Sequence, residues 1–241
     1  MTFILTNDDG VDAPGIKALL QAVKNLQIEN QDLSYPIITV APQEHLSGCG
    51  HQVTTTKPIY IDKRSESEYA IAGTPADCVR VAMTCICPEI KCVLSGINAG
   101  GNMGVDSYIS GTVAAVREAA IHGIPAIAFS HYKKKGLEFD WESSTRWTTQ
   151  VIKHLITRPH ELGTFWNVNL PHLTPEVSNP ELPKIPEIIF CNPCTKPLPV
   201  DYRIEENALY YQGEYAKRQK TLASDVDVCF SDRIAVTQLR V

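Results

Sequence analysis

Over the first two-thirds of this chain of 241 residues, short apolar runs rich in β-forming residues are followed by polar glycine loops and then by helical periodicity. The runs are Thr2–Thr6, Ile37–Ala41, Cys92–Leu94 and Ala126–Phe129, and helical patterns lie between them at Gly15–Leu26, Pro75–Cys85 and Thr112–Ile121. Each helical pattern opens on a Pro, Gly or Thr, which suits a helix start. A further helix is predicted over Ser143–Thr157, where Trp147, Val151, His154 and Leu155 supply an apolar face. Alternation of this kind is the mark of a parallel sheet covered by helices, so the expected fold class is α/β. In such sheets the ligand sits outside the carboxyl ends of the strands.

Beyond about residue 165 the texture changes. Short strands are predicted at Trp166–Leu170, Glu187–Phe190, Tyr202–Ile204, Leu209–Tyr211 and Ile234–Leu239, with a Pro-rich stretch over Pro171–Pro199. The expectation is one domain, with a catalytic core over 1–165 and an irregular β-rich extension and C-terminal arm over 166–241. Long exposed arms of this kind pair with another copy of the chain.

Charge and composition remove several classes of function. Lys and Arg number 22 against 27 Asp and Glu, spread along the chain without a basic tail or stripe, which argues against a protein that grips long nucleic acid. No stretch approaches the roughly 20 apolar residues that cross a bilayer, so no membrane span is expected. The opening Met1–Gly10 meets its acidic pair before a secretory h-region is complete, and the expected location is the cytoplasm. The eight cysteines are accordingly read as thiols. Cys78 and Cys85 share one predicted helix face with Ala82, a packing pattern, and the single CxxC at Cys191–Cys194 lacks a second half to complete a zinc site.

The strongest chemical signal is Leu5-Thr6-Asn7-Asp8-Asp9-Gly10, in which two adjacent carboxylates end an apolar strand at the ligand-binding edge. Uncompensated, Asp8 and Asp9 repel one another. A hard divalent cation resolves that repulsion, and oxygen donors suit Mg²⁺, Mn²⁺ or Ca²⁺. The competing reading is a plain turn, since Asn, Asp and Gly all favour turns.

Three further loops each follow a predicted strand and can converge on the same edge. In Ala41–Gly50, Ser47 stands beside glycines that let backbone approach a ligand, while His45 and His51 flank the loop as solvated bystanders. No Gly-x-Ser-x-Gly elbow surrounds Ser47, so it is not read as a nucleophile. Leu94–Gly104 holds four glycines and the amides Asn98 and Asn102, a composition that fits a backbone nest for an anion. Ser110-Gly111-Thr112 opens a helix, where unpaired N–H groups bind anions; a plain N-cap by Ser110 or Thr112 is the alternative. There is neither a Walker A motif nor Gly-x-Gly-x-x-Gly.

With these residues assembled, the chain resembles the SurE family of stationary-phase survival proteins, metal-dependent nucleoside monophosphate phosphatases. The resemblance rests on Ile4–Gly10 with Ala13–Ile16, Ala41-Pro42, Ser47-Gly48, Gly73–Val79, Ser95–Asn98, Gly101-Asn102 and Ser110–Val113, and on the closing Ile234–Leu239. It implies a three-layer Rossmann-like core with a mostly parallel sheet and a C-terminal extension used to build homodimers or homotetramers. It implies that Asp8, Asp9, Ser47 and Asn98 hold one Mg²⁺ or Mn²⁺ per subunit, that Asn102, Ser110, Gly111 and Thr112 bind phosphate, and that Asp8, Asp9 and Asn98 act in catalysis. The implied substrates are nucleoside 5′-monophosphates, with 3′-monophosphates beside them. Gly73–Asp77 is read as structural, Pro75 suiting a first helical turn and Asp77 offsetting its dipole.

Two departures stand out: the family carries Tyr directly before Ser-Gly-Thr where this chain has Ile109 preceded by Tyr108, and Pro171–Asp227 matches the family poorly. Water activated by the cation, or an aspartate itself, is the attacking group. The rival functions are a non-catalytic nucleotide or phosphate sensor using the same pocket, and an assembly partner acting through its C-terminal arm.

Overall fold

The computed structural model describes residues 1–173 and 185–241, so part of the Pro-rich stretch lies outside the described residues. A nine-stranded sheet runs in the order β3-β4-β2-β1-β5-β6-β7-β11-β8. Its strands are β1 (Thr2–Thr6), β2 (Ile37–Pro42), β3 (Ile61–Ser65), β4 (Glu68–Ile71), β5 (Ile90–Asn98), β6 (Ala126–His131), β7 (Thr164–Leu170), β8 (Ile188–Phe190) and β11 (Ile234–Arg240). Neighbouring strands are parallel except for β3 against β4 and β11 against β7.

The helices are α1 (Pro14–Glu29), α2 (Pro75–Val81), α3 (Gly111–Ile121), α4 (Trp141–Leu155) and the short α5 (Asp225–Phe230). Alternation within the strands decides which helix each side chain meets. Phe3, Leu5, Cys92, Leu94, Ile127 and Phe129 pack with α1 and α4, while Ile4, Val93, Ala126 and Ala128 pack with α2 and α3 on the other face. Both faces of the central strands are therefore buried, which is why they read as continuous apolar runs. The result is the expected three-layer α/β fold.

Three expectations need correction. The division at residue 165 falls inside β7, which pairs with β6 on one side and β11 on the other, so β7, β11 and β8 extend the core sheet. Among the described residues only β9 (Tyr202–Glu205) and β10 (Ala208–Tyr211) form a separate two-stranded sheet, and every residue of both is exposed. Second, Cys78 is buried but Cys85 is exposed. The helix they share passes into a π-helical turn at Ala82–Ile86, and its wider turn moves later residues off the inner face. Third, β3, β4 and α5 were not anticipated. β3 is an edge strand carrying Asp62, Lys63 and Arg64, charges that blunt an edge and hide its periodicity.

Candidate cation and phosphate site

β1 ends at Thr6, and Asn7 then closes a tight turn: its Nδ2 donates to the Gly10 carbonyl at 2.8 Å, and its Oδ1 accepts from the Gly10 N–H at 3.2 Å. Gly10 has φ +102°, which glycine adopts without strain. The turn reading is thus correct, and the turn is what aims Asp8 and Asp9 past the strand end.

Asp8 is buried against the start of α3. Thr112 Oγ1 donates to Asp8 Oδ1 at 2.5 Å, and a Cβ added to Gly111 would stand 2.7 Å from Asp8 Cβ. Ser110 is the N-cap, its Oγ accepting from the Val113 N–H at 3.1 Å. The cap leaves the N–H groups of Gly111 and Thr112 without a partner among the described residues, so they could meet an anion.

The loop after β2 folds back over the acidic pair. The Leu46 N–H donates to the Asp8 carbonyl at 2.7 Å, and the Gly50 N–H reaches the Ile109 carbonyl at 3.1 Å. Ser47 follows Leu46 directly and is exposed at the crest of this loop. Neither flanking histidine is a bystander. His45 Nδ1 lies 3.2 Å from Asp9 Oδ1, and His51 Nε2 lies 2.7 Å from the buried Glu118, which Arg80 and His122 also engage. The base of the loop is held by Thr54, whose N–H and hydroxyl donate to Asp77 at 2.9 and 2.7 Å, while Asp77 completes a capping box with Thr74 at the head of α2.

Asn98 ends β5 with its Nδ2 donating to the Gly100 carbonyl at 2.9 Å, which leaves the Oδ1 oxygen without a partner among the described residues, and the Ala99 N–H reaches Asp9 Oδ2 at 3.3 Å. Asn102 is tied elsewhere: its Nδ2 donates to Ser130 Oγ at 2.7 Å, its N–H to Asn169 Oδ1 at 2.8 Å, and its carbonyl accepts from Asn167 and Asn169. The contacts thus join Asp8, Asp9, Gly111, Thr112 and the neighbour of Asn98, whereas Asn102 faces β6 and β7. Tyr108 and Ile109, where the chain departs from the family pattern, are both exposed at the approach to Ser110.

Burial raises the Asp8 carboxyl to about 6; the Thr112 hydroxyl opposes this and the neighbouring charge of Asp9 adds to it. Among the described residues, no Lys or Arg pairs with either aspartate and no three His, Cys, Asp or Glu side chains converge as a metal cluster. A cation here would therefore take oxygen from Asp8, Asp9 and Asn98, with Ser47 and solvent, a donor set that suits a hard divalent ion. It would also offset the burial and the Asp9 charge that together raise Asp8. The partners His45, Ser130, Asn167 and Asn169 carry no local sequence signal, since each meets the site only through folding.

Comparisons with known proteins show which family the chain is similar to. The family model described as "Survival protein SurE" matches residues 3–190. The Nostoc sp. protein named "Putative 5'-nucleotidase alr3139" is 61% identical over 241 residues, covering 100% of both chains. The Aquifex aeolicus protein named "5'-nucleotidase SurE" is 40% identical over 175 residues, covering 71% of this chain and 66% of that one. The crystal structure of the SurE protein from Aquifex aeolicus matches with a TM-score of 0.81 at 31% identity, covering 100% of this chain and 93% of that chain.

Proposed function

Because this chain belongs to the SurE family, we propose that it is a metal-dependent 5′-nucleotidase, a phosphomonoesterase that converts nucleoside 5′-monophosphates, and 3′-monophosphates beside them, to nucleoside and phosphate. The observation that carries this reading is the contact of Asp8 with Thr112 and Gly111, which sets a carboxylate pair against the electropositive start of α3. One Mg²⁺ or Mn²⁺ per subunit, held by Asp8, Asp9, Ser47 and Asn98, would neutralise phosphate oxygens and acidify a water.

The chain's own groups do the rest. The free N–H groups of Gly111 and Thr112 orient the phosphoryl oxygens and stabilise charge that develops on them. Asp9 is less buried than Asp8 and faces the exposed His45, so a proton accepted at Asp9 Oδ1 has a path to solvent. Asn102, tied to Ser130, Asn167 and Asn169, braces the glycine loop beside the phosphate site.

Homodimers or homotetramers are part of the same proposal. The β9–β10 hairpin exposes Tyr202, Ile204, Leu209, Tyr210 and Tyr211, an apolar surface that a second copy would cover. No helix among the described residues is long and apolar enough to cross a membrane, and the eight free thiols fit a reducing cytoplasm.

Phosphate release from AMP, GMP and CMP, measured with and without Mn²⁺ or Mg²⁺, tests the function. Turnover after chelation of all metal overturns the metal requirement, and tight nucleotide binding without phosphate release identifies a sensor instead.

A further inference from the structure

The groups that hold the Asn98–Gly104 loop come from far along the chain. Asp106 lies in the single helical turn Gly104–Tyr108 and gathers three donors on Oδ2: the Met103 N–H at 3.2 Å, the Tyr215 hydroxyl at 2.5 Å and Arg218 Nη1 at 2.5 Å. Arg218 Nη1 also donates to Tyr215 Oη at 2.9 Å, and its Nη2 reaches the Met103 carbonyl at 3.3 Å. A second anchor is Asp225: its Oδ2 accepts from the Gly104 N–H at 2.6 Å and its Oδ1 from the N–H groups of Cys194 and Val226 at 2.8 Å. The loop itself has no helix or strand over residues 99–103. At Gly104, φ is +56° and an added Cβ would stand 2.3 Å from the Cys194 carbonyl oxygen, so backbone packs directly on backbone.

These anchors are shielded from water, with the Arg218 and Asp106 side chains 0% and 7% exposed. Burial pushes the Tyr215 phenol well above its ordinary range, so its proton stays on Oη and is donated. A buried ion pair is a poor source of stability, because apolar residues of like volume pack as well without the desolvation cost. Its distinctive property is directional: the planar guanidinium of Arg218 reaches Asp106 through Nη1 and the Met103 carbonyl through Nη2 at once, and such charge-assisted bonds permit little displacement.

We propose that Tyr215 and Arg218, acting through Asp106, and Asp225, acting through the Gly104 N–H, are positioning residues that fix where the loop presents Asn98 and Asn102. The inference rests on reading that loop as part of the cation and phosphate site. The effect passes along a short path, since Met103 adjoins Asn102, and Gly101, whose carbonyl lies 3.5 Å from Tyr215 Oη, stands between the two asparagines. Loosening the clamp leaves Asp8 and Asp9 on their own turn and shifts Asn98 and the Ala99 N–H that meets Asp9.

The test compares wild type with Tyr215→Phe, which removes one hydroxyl, with Arg218→Met, and with Arg218→Lys, which keeps the charge and loses the fork. Mn²⁺ binding is followed by calorimetry, AMP hydrolysis by phosphate release, and folding by thermal melts. Ile152→Val, a core change on the opposite helix layer, serves as a stability control. Tyr215→Phe and Arg218→Met are expected to bind Mn²⁺ about tenfold more weakly and to lose about tenfold in kcat, with Arg218→Lys recovering part of both. The control is expected to lower Tm alone. If Arg218→Met does not fold, Tyr215→Phe decides. An active wild type with variants that melt earlier but keep its Mn²⁺ affinity and kcat overturns the clamp alone. A wild type that neither binds Mn²⁺ nor releases phosphate overturns the site, and the clamp with it.

Discussion

Thr112 Oγ1 donates to Asp8 Oδ1 across 2.5 Å, joining two residues 104 positions apart and fixing the carboxylate over the first turn of α3. Thr112→Val keeps the shape and removes the donor. The loss of a hydrogen bond to a charged group is worth about 2 kcal/mol, so kcat/KM is expected to fall roughly thirtyfold, with Thr112→Ser close to wild type. Steady-state kinetics on AMP decide; a Val variant as active as wild type would remove Thr112 from the site.

Asp8→Asn is expected to act in opposite directions on activity and on stability. Hydrolysis should drop by several orders of magnitude, because the cation loses a charged ligand. Yet the metal-free protein should gain about 1 kcal/mol or more at neutral pH, since the Asp8 carboxyl, raised to about 6, is ionised there at the expense of folding. Melting curves in chelator and in Mn²⁺ check this. Wild type should gain about 2.7 kcal/mol when Mn²⁺ stands at 100 times its Kd, and the variant little.

Gly15 and Gly111, like Gly104, stand at close approaches where a Cβ does not fit. A Cβ on Gly15 would lie 1.9 Å from the Ile97 carbonyl oxygen, and one on Gly111 would lie 2.7 Å from Asp8 Cβ and 3.0 Å from Cys49 Sγ. Gly15→Ala meets rigid backbone and is expected to cost about 3 kcal/mol or more, despite the better helix propensity of alanine. Gly111→Ala meets side chains and should cost less stability but more activity. Chemical denaturation beside kinetics separates the two, and a reversed order would contradict the packing.

Acid should destabilise the protein through His131. Burial, with the neighbouring His172 adding to it, holds this imidazole at about 3 against an ordinary 6.5. The unfolded chain therefore takes up a proton first. The stability of the neutral ring is fully present above pH 6.5 and declines by about 1.4 kcal/mol per pH unit as pH falls from there toward 3. His131→Gln, which can keep a hydrogen bond to Ser144, should flatten the fall in urea-unfolding free energy between pH 7 and pH 5. Equal slopes in both proteins would count against it.

Much of the fold was legible because its signals are local. Thr2–Thr6 reads as a buried strand from five residues, Pro14 and Pro75 announce helix starts, and Asn7 to Gly10 spells its own turn. The acidic pair, the serine loop, the glycine loop and the Ser110 cap could each be marked on the same ground. What no window of sequence carries is the partner across the fold. Strands β3 and β4 are short and β3 carries three charges in a row at its centre, α5 has six residues, and β7 takes its place in the core only through β6 and β11 on either side.

The same line divides the site. Residue identity and strand order determined by themselves that Asp8, Asp9, Asn98 and Ser110 to Thr112 stand at the carboxyl edge of a parallel sheet, because alternation and capping act over a few residues. Only the tertiary structure decided that His45 would meet Asp9, that Asn102 would face Ser130 and Asn169, and that Asp106 would hold Arg218. Those pairings depend on which loops burial brings together, and a hydrogen bond between residues a hundred positions apart leaves no periodicity behind.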